Sequence, residues 1–278
     1  MKKLILLVLL GASFVAVRVD AQTFTYNNDF PNGLIGTASR PESPNKIEIE
    51  SADDFLLNSN ASITSGTFTG LIPVDAVIQD VRVEIYRVFP NDSNTIRTPN
   101  VVTRVNSPSD VAFADRESAS GNLTFTTTVL TTNFMALNSV LNGINPAPNQ
   151  HTGGEGPISG EEVRFNVTFT LPFSLPADHY FFIPQVELAG TNNFFWLSAT
   201  RPLVAPSTVF APDLQSWIRN ANLDPDWSRI GTDIVGGTTF NAAFSLNGTF
   251  VPDTGSTALL LGSALVAMIC LRRRALAR

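Results

Sequence analysis

The sequence predicts an all-β protein, an antiparallel, jelly-roll-like β-sandwich over residues 22–250 with one or two short helices. Apolar residues in this stretch recur at every second position far more often than at helical spacing, as half-buried strands require. Breaks rich in Gly, Pro, Asn and Asp divide the stretch into about ten segments of strand length. The 20 Phe, with many Val and Ile, can supply a hydrophobic core. Together these observations favour a sandwich over a helical fold.

Residues 163–170 give the clearest strand, because apolar and polar side chains alternate through the whole segment. The apolar face consists of Val163, Phe165, Val167 and Phe169, and the polar face of Arg164, Asn166, Thr168 and Thr170. Similar runs predict strands at 46–50, 62–69, 81–88, 101–105, 123–130, 180–187, 194–199, 227–235 and 239–246.

Two short segments have helical spacing instead. In residues 133–144, apolar side chains recur at near-helical intervals at Phe134, Leu137, Val140 or Leu141, and Ile144, with Gly143 as a stop signal. In residues 212–220, Pro212 takes the first helical position, and Leu214, Trp217 and Ile218 share one side. Both segments are predicted as connections between strands.

Residues 1–21 have the organisation of a secretory signal peptide. Lys2 and Lys3 precede the apolar run 4–10, and small residues near Ala21 offer a cleavage site for signal peptidase. Because the apolar run is too short to cross a membrane as a resident helix, we expect this segment to be removed on export.

Residues 251–278 are predicted to contain a membrane-spanning segment. A turn at 252–255 leads into the apolar run 258–271, which is closed by Arg272, Arg273 and Arg274. A helix through that run is about 21 Å long against a hydrocarbon core of about 30 Å, so a transmembrane helix over residues 256–271 is marginal as a permanent anchor. The arginines stop transfer in the cytoplasm, which places residues 22–250 outside. An ordinary C-terminal membrane anchor is the alternative.

The motif Val251-Pro252-Asp253-Thr254-Gly255, followed by an apolar helix and an arginine cluster, resembles the PEP-CTERM class of bacterial sorting signals. It is similar to the VPDSG variant, with Thr254 in place of Ser. The resemblance implies processing by an exosortase-type protease, transient anchoring in the inner membrane, and transfer to the cell surface or extracellular matrix. The motif is also similar to the LPxTG signal of sortase substrates, but Val251 replaces Leu and no long Pro-rich linker precedes it. The resemblance implies a route and no biochemical activity.

Charge and cysteine content exclude some functions of residues 22–250. The whole chain has 18 Lys and Arg and 24 Asp and Glu; the two terminal segments contain seven of these cations and two of the anions, which leaves 11 cations and 22 anions. A surface this acidic repels phosphate backbones, so nucleic-acid binding is not expected. The single cysteine, Cys270, lies in the tail, so residues 22–250 can form no disulfide.

The histidines form no recognised catalytic motif. His151 and His179 are not in a metal-binding spacing such as HExxH. No GxSxG elbow accompanies the pair Asp178-His179, and a Pro-bounded turn that leads into a strand explains this pair without chemistry.

Acidic residues give several candidate sites. Glu155, Glu161 and Glu162 could coordinate calcium or supply a glycosidase carboxylate pair, whereas an acidic, solvated hairpin loop is the structural alternative. Asp53-Asp54 could bind an ion or accept hydrogen bonds from turn amides at a strand entrance.

A further candidate combines carboxylates with indole rings. Asp224 and Asp226 lie beside the exposed-looking Trp227, a pattern that suits a calcium or sugar contact, and Trp217 is a second aromatic candidate. Asp-Pro-Asp also makes a competent turn, and a Trp in such a place often packs on its own sheet. Apart from this calcium candidate, we expect no cofactor.

The leading functional hypothesis is a noncatalytic surface or matrix protein with weak carbohydrate binding, for which exopolysaccharide is the natural partner. The segment SADDFLLNSNASITSGTFTG resembles the opening of β-rich ectodomains that commonly accompany PEP-CTERM tails, which agrees with this role. The alternative is a secreted carbohydrate-active enzyme, a glycoside hydrolase or lyase, that uses the loop carboxylates.

Overall fold

The computed structural model describes residues 22–251, except 29, 95, 97–103, 146–150, 203–212 and 238, together with Gly262 and Met268. The signal peptide, the motif positions 252–255 and the arginine cluster 272–274 lie outside the described residues. Within the described part of the chain, no helix is long and apolar enough to cross a membrane. Gly262 and Met268, which fall in the predicted tail helix, are both helical. The signal peptide and the transmembrane helix remain predictions.

The described residues form two β-sheets, so the all-β prediction is confirmed. The strands are β1 Thr23–Asn27, β2 Pro31–Ala38, β3 Ile49–Leu57, β4 Ala61–Ile72, β5 Ile78–Arg87, β6 Ala114–Glu117, β7 Leu123–Ala136, β8 Asn138–Val140, β9 Ile158–Leu175, β10 Asp178–Leu188, β11 Phe195–Ala199, β12 Trp217–Asn220, β13 Ser228–Arg229 and β14 Phe244–Phe250. The first sheet has eight strands, and the second has six in the order β13-β12-β3-β10-β5-β6.

Strand β4 organises the first sheet. One edge pairs with β9 from Ala61 to Ile72, and the other pairs with β14 and, near its C-terminal end, with β11. Strand β1 extends the sheet beyond β14, β7 extends it beyond β9, and β11 leads to β2 and β8. Gly70 allows the close approach of β11, because a Cβ there would lie 2.5 Å from the Phe195 carbonyl oxygen.

The main hydrophobic core lies between the two sheets. Phe165 stacks on Phe68 of the same sheet with ring centroids 4.8 Å apart, and Phe182 of the second sheet stacks on Phe244 of the first at 4.9 Å. The apolar face predicted for residues 163–170 is confirmed, because its four side chains are buried and belong to this core. The alternating polar residues are exposed or half-exposed.

The second sheet is covered on both faces. Phe182 of β10 faces the main core, whereas Phe181 and Ile183 face a smaller cluster that includes Trp217 and Trp227. Residues that precede and follow β12 therefore cover the outer face of this sheet. This burial explains why β10 has an almost continuous apolar sequence where a half-exposed strand alternates.

Both predicted helices are wrong. Residues 133–136 continue β7, which pairs with β9 through two irregularities in register, and β8 then pairs with β2, the one parallel pairing among the described strands. Phe134 belongs to β7, Leu137 lies between β7 and β8, and Val140 belongs to β8. The apparent helical spacing therefore joins residues of separate elements. In the second segment Trp217–Asn220 pairs with β3, and Pro212 lies outside the described residues.

Four predicted strands also differ from the structure. Of residues 46–50 only 49 and 50 belong to a strand, and of residues 239–246 only 244–246 do. Of residues 227–235, only Ser228–Arg229 is a strand, and Ile230–Val235 is a π-helix that ends at the left-handed Gly236. Arg104 and Val105 are not in a strand, and residues 101–103 lie outside the described residues. The jelly-roll-like topology remains a prediction beyond the two-sheet architecture.

Candidate functional site

The four candidate ligand contacts do not form an open surface site. Trp217 and Trp227 are 1% and 2% exposed, so the expectation of an exposed Trp227 is wrong. Trp227 Nε1 donates a hydrogen bond to the Ser109 carbonyl oxygen. Asp224 forms a salt bridge of 2.9 Å with Arg219, and Asp226 pairs with Arg104. Ligand contact by these residues remains a prediction, and it now requires the two indole rings to be uncovered.

Arg219 is the centre of a buried charged cluster on the outer face of the second sheet. Its guanidinium forms a salt bridge with Glu50 and donates a hydrogen bond to the Tyr86 hydroxyl at 2.8 Å. The guanidinium carbon also lies 4.4 Å from the centroid of the Trp227 ring. Burial, and then the charge of Glu50, raise the pKa of Glu84 well above its usual range.

This cluster does not have the geometry of a glycosidase pair. Glu50 and Glu84 are both buried, and the Tyr86 hydroxyl lies 2.8 Å from an oxygen of the first and 3.4 Å from an oxygen of the second. The two carboxyls therefore do not face each other across an open cleft, as the catalytic pair of a glycosidase does at about 5–10 Å. Sequence reasoning missed the cluster because β3, β5 and β12 supply its members from distant positions. The only local signal was the alternation that places Arg82, Glu84 and Tyr86 on one face of β5.

Asp53 and Asp54 are buried in the middle of β3, so their predicted position at a strand entrance is wrong. Asp53 accepts hydrogen bonds from Asn28 Nδ2, Ser216 Oγ and the Ala242 amide, each 2.8 Å long, and thereby ties β3 to three other segments. Burial, and then the charge of Asp54, raise the pKa of Asp53 well above its usual range.

The partner of Asp54 is the second histidine of the chain. Asp54 Oδ2 lies 2.5 Å from His179 Nε2, and both side chains are fully buried. The Leu214 amide donates to the other carboxyl oxygen at 2.8 Å. Burial, opposed by the His179 hydrogen bond, raises the pKa of Asp54. Through the Leu214 amide, the Asp54–His179 pair fixes the position of the segment that precedes β12. Both side chains are buried, so a substrate cannot reach them.

The three glutamates predicted in one hairpin loop are in different environments. Glu155 lies in a loop, where it accepts hydrogen bonds from the amides of residues 141–143 at 2.8–3.0 Å. Glu161 and Glu162 belong to β9, so the loop prediction is wrong for them, and Glu162 accepts a bond from Thr131. His151 is exposed, with Nδ1 3.2 Å from the Asp233 carbonyl oxygen.

In the described part of the chain, no group of three or more His, Cys, Asp and Glu side chains is arranged so that it could hold a metal ion. A cavity of about 280 Å³ opens beside Leu71, Ile158 and Phe195. Of the described residues that line it, Ser159, Thr191, Asn192 and Asn193 are polar and none is ionisable. The cavity therefore offers no acid or base for hydrolysis.

The outer face of the first sheet presents an extended polar surface. Five adjacent strands, in the order β1-β14-β4-β9-β7, align their outward side chains in two rows across the sheet. One row consists of Asn27, Ser245, Thr67, Asn166 and Thr126, and the other of Thr25, Asn247, Ser65, Thr168 and Thr124. We call these ten residues the hydroxyl–amide face.

All ten side chains of this face are exposed or half-exposed, and none is charged. Strand spacing makes each row about 19 Å long, with about 7 Å between the rows. Thr67 and Ser245 form a hydrogen bond of 2.7 Å between their hydroxyls, and the nearest charged neighbour in register is Arg164, opposite Thr128. The face therefore presents hydroxyl and carboxamide groups that can both donate and accept hydrogen bonds.

Comparison with known proteins identifies the C-terminal segment. Residues 251–275 match the family model of the VPDSG-CTERM motif, a PEP-CTERM-type sorting signal, which confirms the resemblance derived from Val251–Gly255. The signal implies that the protein is exported, with a surface or extracellular location. No curated protein and no solved structure matches the chain significantly.

Proposed function

We propose that this exported protein is a noncatalytic component of the cell surface or extracellular matrix and that its hydroxyl–amide face binds neutral polysaccharide. The observation that supports this proposal is the uncharged double row of hydrogen-bonding side chains on a domain with twice as many anions as cations. Sugar hydroxyls are matched by groups that both donate and accept. A neutral polymer gains these bonds without the desolvation of a buried charge.

Binding at this face is weak for each sugar residue. Neutral hydrogen bonds exposed to water each contribute about 0.5–1.5 kcal/mol, and no aromatic side chain in the two rows is available for stacking. Several contacts along one polymer chain raise the overall affinity through effective concentration. A long polysaccharide is therefore the natural ligand, and a free monosaccharide is not.

The first test measures retardation of the exported protein in native gels containing a neutral glucan or mannan. Replacing Thr25, Thr126 and Thr168 with Val removes three hydroxyls and preserves shape and strand propensity. At about 0.5–1.5 kcal/mol for each lost bond, the affinity falls at least about tenfold. Thr127→Val is the matched control, because Thr127 is exposed in the same strand but faces the other side.

Equal retardation of the triple variant and the unmodified protein would exclude the face as the binding site. The same polysaccharides, incubated with the protein and assayed for new reducing ends, should show no cleavage. Cleavage that disappears in Glu161→Gln or Asp226→Asn would instead favour the carbohydrate-active enzyme, in which such carboxylates act as acid and base.

The proposed route begins with removal of residues 1–21 by signal peptidase and continues with transient anchoring by the tail and cleavage by an exosortase-type protease. Mass spectrometry of surface material should then find a C-terminus within residues 251–256 and no peptide beyond Arg272. Recovery of the intact tail from purified membranes of a strain with an active exosortase would identify a permanent anchor instead.

A further inference from the structure

Strand β7 (Leu123–Ala136) is an open edge of the first sheet. Among the described strands it pairs with β9 alone, so alternate backbone amides and carbonyls along it point away from the sheet. Every side chain from Thr126 to Asn133 is exposed, including those directed toward the side of the main core. The second sheet therefore does not cover this part of β7, and the strand is open on both faces as well as along its edge.

This edge lacks charged protection against strand addition. Natural edge strands are commonly blocked by a charged side chain, a proline, a bulge or a short length. Strand β7 has 14 residues, no proline and no charge, and its pairing with β9 is regular from Leu123 to Val129 before the register shifts. The exposed apolar residues Val129 and Leu130 lie at the end of this regular part.

We propose that β7 pairs antiparallel with β7 of a second copy of this chain, which joins the first sheets of two molecules edge to edge. An antiparallel pair of identical strands has two-fold symmetry. The free backbone amides and carbonyls of each β7 edge therefore bond to those of the other, and the assembly closes as a dimer. Strongly acidic copies repel one another over most of their surfaces, and this repulsion is smallest along an uncharged edge. The same edge would offer no attraction to a charged partner.

The pairing also extends the hydroxyl–amide face. Thr124 and Thr126 are the β7 members of its two rows, so joining two β7 strands continues the rows from one molecule into the next. A single pair of strands buries little surface, and such contacts are weak. Copies exported to the same surface meet at high local concentration, which favours a weak, reversible contact of this kind.

The first experiment places single cysteines along β7 in the full-length chain, with Cys270 replaced by Ser, and measures disulfide-linked dimer on non-reducing gels of whole cells. The variants are Thr124→Cys, Thr126→Cys, Thr128→Cys and Leu130→Cys. A disulfide requires Cα atoms within about 7 Å, so the yield should peak at the residue nearest the two-fold axis and fall on both sides. Thr67→Cys in central β4 and Thr191→Cys in an exposed turn are controls. A yield that is flat along β7 and equal to the controls overturns the proposal.

The second experiment tests whether the partner is a second copy. Thr126→Lys and Thr126→Glu should each lower co-purification of two differently tagged copies about fivefold or more, because a charge near the axis faces its own duplicate. When one tagged copy carries Thr126→Lys and the other carries Thr126→Glu, the opposite charges attract and co-purification should be restored. Thr168→Lys, on the same face of neighbouring β9, is the matched control and should change it less than about twofold. Opposite effects of Lys and Glu, or no effect of either, would exclude homotypic pairing.

Discussion

Replacing Arg219 with Met is expected to lower the free energy of unfolding by about 3–5 kcal/mol. The substitution preserves much of the side-chain volume over Trp227 but removes the cation that pairs with the buried carboxylate of Glu50. Glu50 would retain the Tyr86 hydroxyl as a donor, at 2.8 Å, but among the described residues it would have no other salt-bridge partner. An unpaired buried charge is far more costly than an absent pair, so the loss should be seen directly in urea denaturation.

A second substitution separates charge from packing in this cluster. Arg219→Met combined with Glu50→Gln should recover at least about half of the lost stability, because no unpaired charge is left buried. Arg229→Met is the control: its partner Asp233 lies near the surface, and the expected loss is about 1 kcal/mol or less. A loss of similar size for Arg219→Met and Arg229→Met would contradict the structural role given to the cluster.

Replacing Phe165 with Ala is expected to lower the free energy of unfolding by about 3–5 kcal/mol. Phe165 is fully buried, stacks on Phe68 at 4.8 Å and meets Phe194 edge to face at 5.4 Å. Removing its ring leaves a cavity between the two sheets that these neighbours can fill only in part.

Phe30→Ala is the matched control for this core substitution. Phe30 is 71% exposed, so the same chemical change there should alter stability by no more than about 0.5 kcal/mol. Thermal or urea denaturation of both variants measures the difference. Equal stability of Phe165→Ala and the unmodified protein would refute the assigned inner face of β9.

Strands with one buried and one exposed face could be predicted from the sequence, because apolar and polar residues alternate along them. Residues 163–170 and 62–69 fall within β9 and β4 as expected. Strand β12 was misread as a helix because both of its faces are buried, so Trp217 and Ile218 are apolar in succession. The spacing from Phe134 to Ile144 was misread as helical because its members come from the end of β7, from β8 and from residues outside both strands.

Candidate sites were harder to predict, because their chemistry depends on which strands become neighbours. Asp224 and Trp227 suggested a ligand contact, yet Arg219 neutralises the carboxylate and packs against the indole. The hydroxyl–amide face has only Thr, Ser and Asn at alternate positions of five separate strands. The sequence does not show that such residues share one surface, because this depends on the register in which the strands pair.

The sequence alone indicated that this protein is exported and that its fold is all-β. Sorting signals are read as contiguous residues, such as Val251–Gly255, and strand alternation is a local consequence of burying one face of a sheet. Only the tertiary structure decided that Asp53 and Arg219 are buried, that ten small polar residues form one face, and that β7 has β9 as its single neighbour among the described strands. Those outcomes depend on strand order and register, which pair residues far apart in the chain and leave no local pattern to read.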